Sequence, residues 1–338
     1  MKYRRIVISV HGGREFLKII DDEFRSPGHG EVSVRVQAAG VAWADVMMRT
    51  GLYPGKMPDP PFTPGYDVTG VVLQVGEGVS RFKSGDLVTG ITKFGGQAEL
   101  VNTKATNLVP LPPGLDLVKV ACLPLNYFTA YQMLHRFAKV KPGEKVLIHG
   151  AGGGVGTAFL QLGRLDGLEM YATESPSKLE VVRSLGAVPI DHHQEDFLAR
   201  VLELTGKGVD AAFDPIGGSH LVRTYQAIKP GGRCIAYGER SIVGEGFFNA
   251  AESRIHEEFM ASHQTDPSGK IIRFYEVYDQ VMKHPSWHQE DLTVLVDLLS
   301  RGAFSPIIAE RVPFEEIRHA HELLETRGVI GKIVLVVS

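Results

Sequence analysis

The segment Gly150-Ala151-Gly152-Gly153-Gly154-Val155-Gly156 lies between an apolar run, Lys145–His149, and a second one, Thr157–Leu162. A glycine-rich turn between a strand and a helix can cradle a pyrophosphate. Gly153 lets the backbone approach the phosphates, and Gly156 lets the helix pack close to the strand. The free N–H groups at the helix start then face the anion, with the macrodipole assisting. The register ending at Gly156 has Ala151 in its first position, so the match to G-x-G-x-x-G is imperfect. A bare glycine cluster is as often a flexible loop; the flanking strand and helix favour the dinucleotide site. Ala151, Gly152, Gly153, Gly154, Val155 and Gly156 are therefore predicted to bind a nicotinamide cofactor.

The end of the next strand selects between NAD and NADP. An NAD site places an acidic side chain there for the ribose hydroxyls. Here the strand Glu169–Thr173 is read as ending on Thr173, followed by Glu174, Ser175 and Lys178. Hydroxyls and a lysine suit a 2′-phosphate, supplying donors and charge. Glu174 opposes that reading unless it points outward. The plain alternative for Ser175 and Lys178 is a helix cap and a solvated face. NADPH is the cofactor expected.

These residues need a parallel sheet to hold them. From about residue 115 strands alternate with helical segments: Lys145–His149, Val155–Asp166, Glu169–Thr173, Ser177–Leu185 and Val188–Ile190. Asp196–Leu204, Val209–Asp214, Ser219–Ile228 and Arg233–Tyr237 continue the series. Such alternation implies right-handed crossovers and a sheet covered on both faces. The first third is β-rich instead, with Tyr3–Val10, Glu31–Val41, Asp67–Val75 and Gln97–Val101 as strands and a short helix near Ala42–Thr50. Later helices are predicted at Lys270–Lys283, Asp291–Arg301 and Phe314–Thr326, before a last strand, Gly331–Val337.

The bulk numbers narrow the function classes. The 338 residues are 43% apolar and 22% charged, with a formal charge of −3 that offers no basic field to nucleic acid or membrane. Two cysteines, Cys122 and Cys234, exclude a disulfide framework and suit reducing cytosol. They also cannot supply a four-thiolate structural zinc. No stretch approaches the roughly 20 apolar residues of a membrane helix. A soluble, cytoplasmic protein is expected. The histidine pairs His192-His193 and His319/His321 are read as solvated or capping groups, and no metal is predicted.

Taken together, Gly40–Asp45, Gly51-Leu52-Tyr53-Pro54, Pro64–Gly70, Asn126–Tyr131, the Ala151–Gly156 loop and Ser184–Ala187 resemble the medium-chain dehydrogenase/reductase superfamily, in its zinc-independent quinone oxidoreductase branch. The resemblance spans essentially the whole chain. It implies an α/β architecture, with a Rossmann doubly wound parallel sheet inserted in a chaperonin-10-like, β-rich catalytic domain. The expected division is 1–124 with 266–338 for the catalytic domain and 125–265 for the Rossmann domain. It also implies hydride transfer from NADPH to a quinone or an α,β-unsaturated carbonyl (an enone), often by a homodimer. Ala151 is acceptable in relatives' loops, Thr173, Ser175 and Lys178 read as the 2′-phosphate site, and His192 falls near the adenosine end. Asn126 and Thr129 fall where relatives contact the nicotinamide half. Gly238 and Lys332 are counted with the cofactor-binding residues.

Zinc-dependent relatives carry an early cysteine and a Gly-His-Glu motif. This chain has Gly65-Tyr66-Asp67 there and no cysteine before Cys122. The polarising group must then be a hydrogen-bond donor, and Tyr53 is the first candidate: a phenol can protonate a carbonyl as hydride arrives. An apolar wall is the other reading of Tyr53. Ala42 stands where many relatives have Asn, which removes one donor, and Asp45 is expected to be a structural hydrogen-bonder. Trp43, Tyr66 and Tyr127, with Phe247 or Phe248, are expected to wall the substrate site, which suits a flat apolar acceptor. An enoyl-thioester reductase and a non-catalytic NADPH-binding protein are the alternatives.

Overall fold

The computed structural model describes residues 1–243, 247–263, 266–326 and 328–337. The chain forms two compact units, Met1–Phe128 with Val277–Ser338, and Thr129–Glu276. The first opens with a hairpin of β1 (Lys2–Ile8) and β2 (Leu17–Glu23). Then follow β3 (Glu31–Val41), β4 (Asp67–Val75), β5 (Leu87–Ile91), β6 (Leu100–Lys104) and β7 (Leu108–Pro110). In the middle of β3, Val34, Val36 and Ala38 are buried while Arg35 and Gln37 face outward, the alternation of a half-buried strand. A short helix, Trp43–Thr50, follows β3 and ends on Gly51 in the left-handed region at φ 77°.

The second unit contains β8 (Lys145–His149), β9 (Glu169–Glu174), β10 (Val188–Asp191), β11 (Val209–Asp214), β12 (Ile228–Ala236) and β13 (Ile271–Phe274). They pair in parallel in the order β10-β9-β8-β11-β12-β13. The chain order reverses between β8 and β11, the switch point at which doubly wound sheets bind ligands. Leu147, Ile190, Phe197, Val201, Ala212 and Leu221 fill a core cluster of this unit.

The chain then returns to the first unit with β14 (Ile308–Pro313) and β15 (Lys332–Val336), giving the order β14-β15-β3-β4-β5-β7, with β6 also on β3. The expected fold class is thus found: a GroES-like β-rich unit with a parallel Rossmann sheet within the chain. Among the described residues no helix is long and apolar enough to cross a membrane.

Several expected elements differ. Residues 270–283 are not one helix: Ile271–Phe274 is β13, and the helix is Val277–Lys283. The β-branched Ile271 and Ile272 pair with Arg233 and Cys234 of β12, and tertiary pairing outweighs helix propensity. The dinucleotide unit consequently extends to Glu276, past the expected break at 265/266. The strand predicted at Gln97–Val101 lies at Leu100–Lys104 instead. β2, β5, β7 and the helix Ala250–Ser262 had no sequence signal strong enough to predict them.

Burial fixes protonation as well. Loss of hydration pushes the pKa of His149 down to about 3, of His288 to about 4 and of His321 to about 3. Such a histidine takes up a proton on unfolding between its folded pKa and the unfolded value of about 6.5, so stability falls as pH falls through that window. Burial pushes Asp45 up to about 7, which gives the opposite slope between its unfolded pKa and that value and offsets one histidine. Among these four groups two net protons remain, each giving a slope of roughly 1.4 kcal/mol per pH unit. Calorimetric melts from about pH 7 to about pH 5 should show a falling Tm; a flat profile would mean that the histidines are not held neutral.

Candidate functional site

The glycine loop leaves β8 at the switch point and enters the helix Gly154–Leu165. Gly153 is its N-cap and has no side chain to bond the first turn, which leaves N–H groups there for a ligand. A Cβ at Gly156 would lie 2.3 Å from the Gly150 carbonyl oxygen, so only glycine permits this approach. At Gly153 a Cβ would meet only that oxygen, at 3.4 Å, which leaves an open cradle beside the backbone. Thr129 adds a buried hydroxyl with no hydrogen-bond partner among the described residues. These features fit a dinucleotide. Gly238 lies beyond β12, where a Cβ would meet the Pro215 carbonyl oxygen at 2.5 Å, so its lack of a side chain is at least a packing requirement.

The adenosine end differs from its expected form. β9 runs one residue past Thr173, so Glu174 is the strand's last residue. Its carboxylate points inward: Oε2 accepts from Gly152 N at 2.7 Å, and Oε1 accepts from Ser175 N at 2.9 Å and Ser175 Oγ at 3.2 Å. Lys178 Nζ lies 3.9 Å from Oε1, and both side chains are largely buried. Thr173 Oγ1 bonds His149 Nδ1 at 2.8 Å. Thr173, Ser175 and Lys178 are therefore all engaged with protein groups. His192 is close by, its backbone N donating to the Glu174 carbonyl at 3.3 Å, and burial lowers its pKa.

Behind the loop lies a network that sequence reasoning missed. Thr224 Oγ1 bonds His149 Nε2 at 3.0 Å and Asp214 Oδ2 at 2.6 Å, and His220 Nδ1 lies 2.8 Å from the same oxygen. Asp214 Oδ1 accepts from Ile216 N and Gly217 N. Burial alone would raise the Asp214 pKa; the bond to His220 and the nearby imidazoles outweigh it and hold the carboxyl well below its usual range. His149, Asp214 and His220 are the one group of possible metal ligands found among the described residues, with ligand atoms within 4.8 Å. Thr173 and Thr224 take both ring nitrogens of His149, and His220 and Thr224 bond Asp214, which makes the cluster a hydrogen-bonded scaffold that ties the ends of β8, β9 and β11 together. His149 and Asp214 end neighbouring strands of the Rossmann order, and that signal could have linked them.

In the first unit, Tyr53 and Tyr66 meet hydroxyl to hydroxyl. Lys93, at φ 64° in the left-handed region, places Nζ 5.8 Å from the Tyr53 ring centroid, 5.5 Å from that of Phe94 and 4.7 Å from that of Tyr278. Lys139, a helix C-cap at φ 51°, shares that conformation, and nothing in the sequence pattern announced either. Trp43 begins the short helix and is half-buried. Asp45 accepts from Ala42 N at 2.8 Å and Gly65 N at 3.1 Å, so it is a structural hydrogen-bonder. Asn126 is buried in a π-helical stretch, Leu123–Tyr127. Tyr127 is buried too and stacks on Phe304 with centroids 4.4 Å apart, a core role rather than an open wall. Phe247 and Phe248, in the second unit, are exposed.

Lys332 is 4% exposed, with Nζ 3.5 Å from Asp67 Oδ2 inside the first unit. Asp67 also accepts from Gly40 N. A Cβ at Gly40 would overlap both side chains, so that glycine makes room for the ion pair. Lys332, expected at the cofactor, thus has an ion-pair partner within the first unit. Cys122 is buried, and its thiol pKa is pushed up to about 12, which makes it a poor ligand.

The cradle yields a direct test. Gly153 has φ −74° and ψ 177°, a backbone any residue adopts, so Gly153→Ala should fold and lower the circular dichroism melt only by the small cost of an alanine N-cap. Its methyl would fill the cradle, and affinity for NADH and NADPH in fluorescence titrations should fall about tenfold or more. Unchanged affinity would place the pyrophosphate elsewhere.

Comparison with known proteins follows the same outline. Residues 28–113 match the alcohol dehydrogenase GroES-like domain, and residues 185–335 match the zinc-binding dehydrogenase family. The chain is 32% identical over 344 residues to the synaptic vesicle membrane protein VAT-1 homolog of Danio rerio, covering 98% of this chain and 70% of that protein. It is 32% identical over 341 residues to the quinone oxidoreductase of Lama guanicoe, covering 99% of this chain and 98% of that one. The crystal structure of Escherichia coli quinone oxidoreductase complexed with NADPH superposes with a TM-score of 0.87 at 26% identity, covering 98% and 99% of the two chains. On these matches the chain belongs to the medium-chain dehydrogenase/reductase superfamily, in its quinone oxidoreductase-like branch.

Proposed function

We propose that the chain is a nicotinamide-dependent oxidoreductase that reduces quinones or α,β-unsaturated carbonyls without a catalytic zinc. The observation that carries this reading is the hydroxyl-to-hydroxyl bond of Tyr53 and Tyr66. Tyr66 stands in the Gly65-Tyr66-Asp67 stretch, where zinc-dependent relatives have a metal-ligand motif. Asp67 is occupied by Lys332 and Gly40 N, and Cys122 is a buried thiol. The residues present there favour hydrogen-bond donation over metal ligation.

When bound, the nicotinamide supplies the hydride. The protein's share is orientation and a proton. Tyr53 Oη donates to the acceptor's carbonyl oxygen as negative charge develops there, and Tyr66 holds the phenol in position. The phenolate left behind then regains a proton from solvent. Homodimer formation is supported by β13, an edge strand of its sheet with Ile271 and Phe274 exposed. The cofactor choice is divided: Ser175 and Lys178 suggested NADPH, the ligand of the Escherichia coli relative, whereas the inward Glu174 opposes its phosphate.

The VAT-1 homologs carry no reaction in their name, and a second reading is a nicotinamide-binding protein without turnover. Steady-state oxidation of NADH and NADPH with a panel of quinones and enones decides between them. With an accepted enone, Tyr53→Phe should lower kcat about a hundredfold and change KM little. An unchanged kcat would sink the proton-donor role, and no turnover despite tight dinucleotide binding would favour the second reading.

A further inference from the structure

We infer that Glu174 makes the adenosine end of the dinucleotide site a ribose-diol site, so that this chain takes NADH in preference to NADPH. The inference rests on the reading that the chain binds a nicotinamide dinucleotide, and it reverses the cofactor that Ser175 and Lys178 suggest in sequence.

The strand boundary is the first ground. β9 ends on Glu174, paired in register with Asp191 of β10. An acidic residue at that strand end is the position from which doubly wound sheets hold ribose hydroxyls. The direction of the side chain is the second. Glu174 is 6% exposed, and its Oε2 accepts from the backbone N of Gly152, within the phosphate loop. A Cβ at Gly152 would lie 3.1 Å from Oε2 and 2.8 Å from Lys178 Cδ, so both side chains lie directly over the loop.

The third ground is the state of the expected phosphate ligands. Ser175 Oγ donates to Glu174 Oε1, and Lys178 Nζ faces the same oxygen at 3.9 Å. The lysine's charge is thus answered inside the protein. A 2′-phosphate would bring further negative charge against a carboxylate fixed by three hydrogen bonds, two from backbone N–H groups. A ribose diol brings O–H donors to a group that can only accept, and Oε2 carries a single hydrogen bond among the described residues. The site therefore suits the diol and penalises the phosphate.

Direct binding tests this without turnover. Dissociation constants for NADH and NADPH on the full chain, by nicotinamide fluorescence and calorimetry, should favour NADH about tenfold or more. ADP-ribose should likewise compete better than its 2′-phosphate. Glu174→Gln keeps an acceptor for Gly152 N and removes the charge, so the preference should move at least about tenfold toward NADPH. Adding Lys178→Ala to that variant should reverse the gain, because the freed lysine is what the phosphate would use. Glu174→Ser provides the same comparison if the glutamine variant melts early. Tighter NADPH binding by the unaltered chain, or a ratio unmoved in both Glu174 variants, overturns the inference and leaves the nicotinamide reading intact. Binding of neither dinucleotide overturns both.

Discussion

Where the helix Gly154–Leu165 meets β8, a side chain at position 156 would strike the Gly150 carbonyl and the Ala151 backbone. The helix can sit this close only on bare backbone, and much of the second unit follows from that approach. It aims the uncapped first turn at the mouth of the loop, so the N–H groups that a helix start leaves unbonded become a phosphate cradle. It also seats Gly152 beside the end of β9, where the Glu174 carboxylate can reach its N–H.

Buried charge is handled in the same way in both units. Asp67 meets Lys332, Glu174 meets Lys178, and Asp214 meets His220 and Thr224. Each carboxylate also accepts from at least one backbone N–H. Burying such pairs adds little net stability, because desolvation offsets most of the attraction. Losing one partner leaves an uncompensated charge, which strongly favours one arrangement of the surrounding strands. Gly40 and Gly152 serve this directly, since each leaves the space its neighbouring ion pair occupies.

Much of this was legible in the sequence where a pattern was local. The runs at Glu31–Val41, Asp67–Val75, Lys145–His149 and Val209–Asp214 are strands with the bounds expected, because β-branched runs flanked by turn residues leave little choice. The glycine loop falls at the strand–helix junction its spacing requires. Long-range features were not legible. β2 ends in acidic residues and exists because β1 pairs with it, while β13 exists because β12 offers an edge. One residue at the end of β9 shows how narrow the margin is: ending the strand at Thr173 made Glu174 a loop residue, and extending it made Glu174 the residue that faces the cofactor loop. Lys332 was assigned to the cofactor, and its burial beside Asp67 depends on a contact 265 residues away in sequence.

That last contact bears on the order in which the chain can fold. The second unit is made of consecutive strands and helices, contacts of short sequence separation that form early. The first unit cannot close its sheet until β15 has been synthesised and has paired with β3. Until then Asp67 has no lysine, and β3 and β4 expose an apolar face with a lone carboxylate within it. An emerging chain is therefore most prone to association after β4 and before β15, a window within which the whole dinucleotide-binding unit is synthesised.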